Sequence, residues 1–189
     1  GEVIYLFHND PNGVPNELVN LFLGSPMPTK GETERAYDPS DLLCNPDKSL
    51  IVAFNYPAVV LTMGAEHWGE LRELYLQLTH HVYENVRNSL AASLHEIAKL
   101  IGSDAANADL VPVAERFLRD PCTDVTATLL EHMDEFWLVL PVDTAKSQLR
   151  QMPMLWLSNF SHDWRLRESI AQHIMTLAPS LLLADEDGC

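Results

Sequence analysis

The stretch 85-NVRNSLAASLHEIAKLI-101 decides how this chain is read. Its apolar residues Leu90, Leu94, Ile97, Ala98 and Ile101 stand at offsets 0, 4, 7, 8 and 11, which is one face of an α-helix. The same offsets recur at Leu129, Met133, Phe136, Trp137 and Leu140, and at Ile170, Ile174, Leu177, Ala178 and Leu181. Upstream they fit Val52, Tyr56, Val59, Val60 and Met63, so the starting residues are 38, 39 and 41 apart. A second stripe precedes each of the last three. Leu71, Leu74, Tyr75 and Leu78 are followed 39 residues on by Leu110, Val113, Ala114 and Phe117, and 39 further on by Leu149, Met152, Pro153 and Trp156.

Each unit therefore reads as helix, short turn, helix, with the period of roughly 40 residues found in HEAT-type helical pairs. The expected fold is all-α, a HEAT-like α-solenoid in which antiparallel helix pairs stack into a right-handed superhelix. One face alone would fit any amphipathic bundle; four faces in register with alternating partner stripes favour the repeat. The expected repeats are residues 15–64 with an irregular insertion over 24–48, then 66–102, 107–141 and 143–178, and the start of another at 179–189. The whole is expected to be a single array cut from a longer one.

The punctuation agrees with these limits. Gly64 and Gly102 follow the ends of second helices, where a residue of positive φ is wanted. Pro141 and Pro179 are expected to stop or bend the next two. Asp109 is expected to cap the helix that holds Pro112 in its first turn, and Asp143 to cap the next. Pro153 lies inside an expected helix and predicts a kink or a break. Pro15 to Leu23 reads as a short helix ahead of the insertion, and the uncharged run from Ser49 to Ala65 as a buried core helix.

Charge narrows the class of function. Lys and Arg number 12 against 27 Asp and Glu, a net charge of −15. Residues 1–48, 49–105, 106–142 and 143–189 carry −5, −3, −5 and −2, so every part is acidic. That argues against a nucleic-acid partner, which needs a basic surface, and against docking on anionic lipid. The longest uncharged run falls short of a membrane helix. Cys44, Cys122 and Cys189 form no pairing pattern and fit free thiols in a reducing compartment.

No catalytic, cofactor or metal residues emerge. The chain has no Gly-rich phosphate loop, no Gly-x-Ser-x-Gly elbow and no His-Glu-x-x-His helix. Adjacent His80 and His81 point about 100° apart on a helix and do not chelate alone. His132 with Asp134, and His162 with Asp163, do not share a helix face either. Glu131, Asp134 and Glu135 read as a solvated acidic face, and Cys122 as an inert thiol.

Several segments point to a family. Val86-Arg87, and Trp164 to Ala171, show the hydrophobe–Arg pair followed by Ala and Leu at helical spacing that marks HEAT repeats of phosphatase scaffold subunits. His8 to Pro15, Tyr56-Pro57 through Leu61 to Gly64, His95 to Ala98, and Ala108 to Val113 carry the likeness further. On these residues the chain resembles the phosphatase 4 regulatory subunit 1 family of HEAT-repeat scaffolds. Val125-Thr126 departs from the hydrophobe–Arg pair, and Pro153 interrupts a helix that the family pattern leaves open.

The resemblance implies a non-enzymatic scaffold. It would bind the catalytic subunit of a Ser/Thr protein phosphatase and direct it to phosphoprotein substrates, in the cytoplasm and nucleus. In related scaffolds the turns inside each repeat line the partner edge; here these are residues 79–85, 120–124 and 158–163. Tyr83, Asp124, Phe160 and Trp164 are the expected contacts, since Tyr and Trp are enriched in interface hot spots. Trp164 could instead pack between repeats, and Asp124 could only cap a helix. The competing reading is a HEAT-repeat adaptor in transport or trafficking with no phosphatase partner.

Overall fold

The apolar stripes become helices. In the computed structural model, residues 43–158 and 163–183 are described, and they contain helices and no strand. The helices are α1 (Pro46–Met63), α2 (Trp68–Leu78), α3 (Glu84–Ile101), α4 (Val111–Phe117), α5 (Thr123–Glu131), α6 (Met133–Val139), α7 (Val142–Ser158) and α8 (Trp164–Leu183). The all-α class is as expected. The expected features at His8 to Pro15, the helix from Pro15 to Leu23, most of the 24–48 insertion and Cys189 lie outside the described residues. The chain divides into two units, one through Ser93 and one from Leu94.

In the first unit α1 starts at Pro46, where the missing N–H costs nothing, and Asn45 caps it. The Asn45 Oδ1 accepts from the backbone N–H groups of Asp47 and Lys48 at 3.1 and 3.2 Å. Val52, Tyr56, Val59 and Val60 are buried as the stripe required. The rest of α1 corrects the expectation of a wholly buried helix: Ile51, Phe54 and Leu61 face outward, Phe54 at 76 % exposure. Beyond Gly64 the chain turns by 117° into a short 3₁₀ turn and α2. The two helices are locked by aromatic packing. The Tyr56 hydroxyl donates to the Leu71 carbonyl at 2.6 Å, and Tyr75 lies between Tyr56 and Trp68 with ring centroids 5.2 and 5.6 Å away. No single described helix is long and apolar enough to cross a membrane.

In the second unit the stripes Leu94-Ile97-Ala98-Ile101, Leu110-Val113-Ala114-Phe117 and Leu129-Met133-Phe136-Trp137-Leu140 are all buried. Their backbone is less regular than the periodicity implies. The stripe from Leu129 to Leu140 spans two helices, α5 and α6, because the chain breaks at His132 (φ −125°, ψ 18°). Asp109 does not cap α4. Helical structure begins at Ser103, and residues Ala106–Leu110 form a π-helical segment whose wider turn carries the Val111 N–H to the Ala106 carbonyl just before Pro112. Asp143 likewise lies in the first turn of α7 instead of capping it.

Pro153 does not break α7, which continues to Ser158, and α8 runs past Pro179 to Leu183. The buried face of α7 is Ala145, Gln148 and Met152, whereas Leu149 is half-buried and Pro153 exposed. The stripe expected through Leu149 and Pro153 was thus one position out of register. An exposed proline leaves its unpaired i−4 carbonyl on the wet side of the helix, where water serves it.

Gly64 and Gly102 do hold positive φ, at 89° and 86°, and their N–H groups close the preceding helices onto Val60 and Ala98. With ψ of 160° and 167° they occupy a region open essentially to glycine alone. A Cβ on Gly102 would touch nothing within 4 Å, so its cost is conformational only. Gly102→Ala should therefore lower stability by about 1–3 kcal/mol. Gly69→Ala, in the first turn of α2 with open space around it, should raise it by about 0.4–1 kcal/mol. Urea denaturation of both variants checks the opposite signs.

Candidate partner-binding site

The first of the turns expected to face a partner is fixed by the helix that follows it. In the turn ahead of α3, the Arg87 guanidinium donates to the carbonyls of His81 and Val82 at 2.7 and 2.9 Å. Val86 beside it is buried. His81 completes the arrangement: its Nδ1 accepts from the Tyr83 N–H at 3.2 Å, so its Nε2 is the donor to the Leu43 carbonyl at 3.0 Å. That pairing of roles is satisfied by one neutral tautomer.

The same positions recur in two later helices. Val86-Arg87, Val125-Thr126 and Leu166-Arg167 are the third and fourth residues of α3, α5 and α8. Val125 and Leu166 are buried like Val86. Thr126, the departure from the hydrophobe–Arg pair, does comparable work with a shorter side chain. Its hydroxyl donates to the carbonyl of Phe117, the last residue of α4, at 2.9 Å. The substitution therefore keeps a donor aimed at the preceding turn, although it gives up the charge.

Three of the four expected contact residues can be placed. Tyr83 is 54 % exposed, next to a more exposed Val82, with its ring 5.5 Å from that of His81. Trp164 opens α8 at 59 % exposure, and the Arg165 guanidinium lies over its ring at 5.2 Å. The helix it opens is capped by Asp163, whose Oδ1 accepts from the N–H groups of Arg165 and Leu166 at 3.0 and 3.3 Å. Asp124 is exposed in the first turn of α5, two residues past the capping position at Cys122, while Asp120 takes the Cys122 N–H at 2.9 Å. Phe160 lies outside the described residues. Asp124 and Trp164 both belong to the second unit, at the starts of α5 and α8, which contact each other.

Sequence reading missed one cluster, also in the second unit. His95 of α3 stacks on His132 at the α5–α6 break, with ring centroids 4.2 Å apart. Glu135 of α6 reaches both: its Oε1 is 3.5 Å from His132 Nδ1 and its Oε2 is 3.9 Å from His95 Nε2, and it takes a hydrogen bond from Lys99. Neither histidine shares a helix with the other, which is why motif spacing could not bring them together. Burial, reinforced by the His132 and Lys99 charges, pushes the His95 pKa down against the opposing pull of Glu135. The Lys99 hydrogen bond holds the Glu135 carboxyl below its ordinary range.

Helix starts that bury a hydrophobe at the same position, at intervals of 39 and 41 residues, fit a helical-repeat class of protein. Within it, the chain matches the family model of the protein phosphatase 4 regulatory subunit 1 middle domain over residues 52–155, and it belongs to that family. It is 30 % identical over 164 residues to serine/threonine-protein phosphatase 4 regulatory subunit 1 of Homo sapiens, and equally to those of Mus musculus and Rattus norvegicus. The alignment takes in 87 % of this chain but only 16 % of those relatives, so the chain spans a small part of their length.

The cluster gives a signed pH dependence. His95 is held neutral in the folded chain, so its contribution is complete above the unfolded value of 6.5 and is lost as pH falls below it. The Glu135 contribution is lost only as pH falls below 4.5. Between pH 7.5 and 5.5 the wild-type melting midpoint should therefore drop further than that of His95→Leu. Parallel thermal melts across that range measure the difference, and superimposable pH profiles would remove His95 as the cause.

Proposed function

We propose that this chain is part of a non-catalytic scaffold that binds the catalytic subunit of a Ser/Thr protein phosphatase, of the phosphatase 4 type, and directs it to phosphoprotein substrates. The observation that carries the reading is the exposure of Trp164 at a helix start whose buried residues, Leu166 and Ile170, lie on the opposite face. A large aromatic held on the surface by a capped, well-packed helix is costly to leave in water and well suited to a partner's pocket. Family membership supplies the partner: the relatives' name is that of a phosphatase 4 regulatory subunit.

In this reading the partner contacts lie in the turns at 79–85, 120–124 and 158–163, with Tyr83, Asp124, Phe160 and Trp164 as the contact residues. The backbone of the 79–85 turn is tied down by Arg87 of the following helix, so little ordering entropy remains to be lost there on binding. The acidic balance of every segment favours a partner surface with a basic patch, which raises the association rate more than the final affinity. The scaffold would work in the cytoplasm and nucleus.

Trp164→Ala in the longer protein carrying these repeats should weaken capture of the phosphatase catalytic subunit by about 30-fold, equivalent to ~2 kcal/mol for a hot-spot aromatic. Its melting midpoint should stay near wild type. Surface-immobilised catalytic subunit reads the first quantity and differential scanning the second. Undiminished binding would remove Trp164 from the edge, and failure of the wild-type protein to retain any phosphatase catalytic subunit would favour the transport or trafficking adaptor.

A further inference from the structure

The His95, His132 and Glu135 cluster has no part in the turn edge. Each residue offers a ligand atom, and these atoms lie within 4.8 Å of one another. His95 is only 7 % exposed, yet its Nδ1 has no hydrogen-bond partner. Its Nε2 stands 3.6 Å from Glu96 Oε1 and 3.9 Å from Glu135 Oε2, beyond hydrogen-bond length. A buried imidazole nitrogen with no partner is an uncompensated polar atom, and such atoms call for an explanation.

We propose that His95, His132 and Glu135 bind one divalent transition-metal ion of the zinc class. Two imidazole nitrogens and a carboxylate oxygen are a donor set that suits Zn²⁺, whose fourth position would be left to water or to a group from another molecule. Bonds of about 2.0–2.1 Å require the ligand atoms to draw together by roughly 1.5 Å. The half-exposed side chains are the ones free to move: His132 is 40 % exposed, at the α5–α6 break, and Glu135 is 42 % exposed. His95 is the fixed member.

The surroundings fit a cation. Lys99 holds Glu135 through Oε2, leaving Oε1 for the ion on the side of His132. A second group on the far oxygen of a ligating carboxylate is the usual outer arrangement, because it fixes the carboxylate's orientation. Glu96 adds negative charge beside His95, and the chain as a whole is at −15.

The test is a titration of the purified chain with Zn²⁺ at pH 7.5 in competition with a chromophoric chelator. One ion per chain is expected, with affinity lost as pH falls below about 6.5. Because His95 is buried, the informative variants are the half-exposed ones. His132→Ala and Glu135→Gln should each weaken binding by about 10-fold or more, and the double variant should abolish it while circular dichroism stays at wild-type helicity. Wild-type binding no tighter than about 100 μM would overturn the proposal. So would stoichiometric binding unchanged in the double variant, which would place the ion on other histidines.

Discussion

The carbonyls at helix ends and turns need donors, and ahead of α3 and α5 the next helix supplies them. An α-helix leaves its last carbonyls without intrahelical partners, and a chain made of short helices multiplies that problem at every turn. The Arg87 guanidinium answers it ahead of α3 by taking two turn carbonyls, and the Thr126 hydroxyl answers it ahead of α5 by taking that of Phe117. In each case the donor follows a buried hydrophobe, Val86 or Val125, that fixes how the helix start sits on the core. The pairing couples two requirements, apolar burial and carbonyl satisfaction, at adjacent positions. It therefore settles where one helix begins relative to the end of the last.

That coupling explains why a family pattern written as hydrophobe–Arg tolerates Thr. What the turn requires is a donor of suitable reach, not a charge. A long guanidinium spans to two carbonyls of a loose turn, as at His81 and Val82, while a hydroxyl suffices when the preceding helix end lies against it. The Thr126 hydroxyl is buried with its acceptor, so the bond it makes is shielded from water where the charged alternative would have been costly to desolvate.

The stripes were legible because a helix face needs only burial every three or four residues, and burial is what apolar identity encodes. Val52, Leu90, Leu129 and Ile170 all fell on buried faces. What was not legible is how the backbone threads between them. The break at His132 keeps Leu129, Met133 and Phe136 on one buried side, so hydrophobic spacing is blind to it. The π-helical segment before Pro112 leaves Leu110 and Val113 buried in the same way. On α7 the proline was misread because a ring at Pro153 counts as apolar in a pattern, while the backbone puts it where its unpaired carbonyl can be hydrated. Tyr83 and Trp164, named from position in the repeat, are both exposed. The His95 cluster could not be read that way, since its members come together only through tertiary contact across 37 to 40 residues.

The same irregularity that defeats sequence pattern brings titratable groups together in the second unit. Were residues 123–139 one straight helix, His132 would keep the helical dihedrals it lacks at φ −125° and ψ 18°. The break instead sets its ring on that of His95, with Glu135 one turn further on completing the group. Two imidazoles stacked at 4.2 Å with a shared carboxylate are a poor structural filler: a leucine pair would bury as much surface without an orphaned nitrogen. The stability forgone there is the physical argument that the cluster serves binding, since a helix face made only for packing had no need to break at that residue.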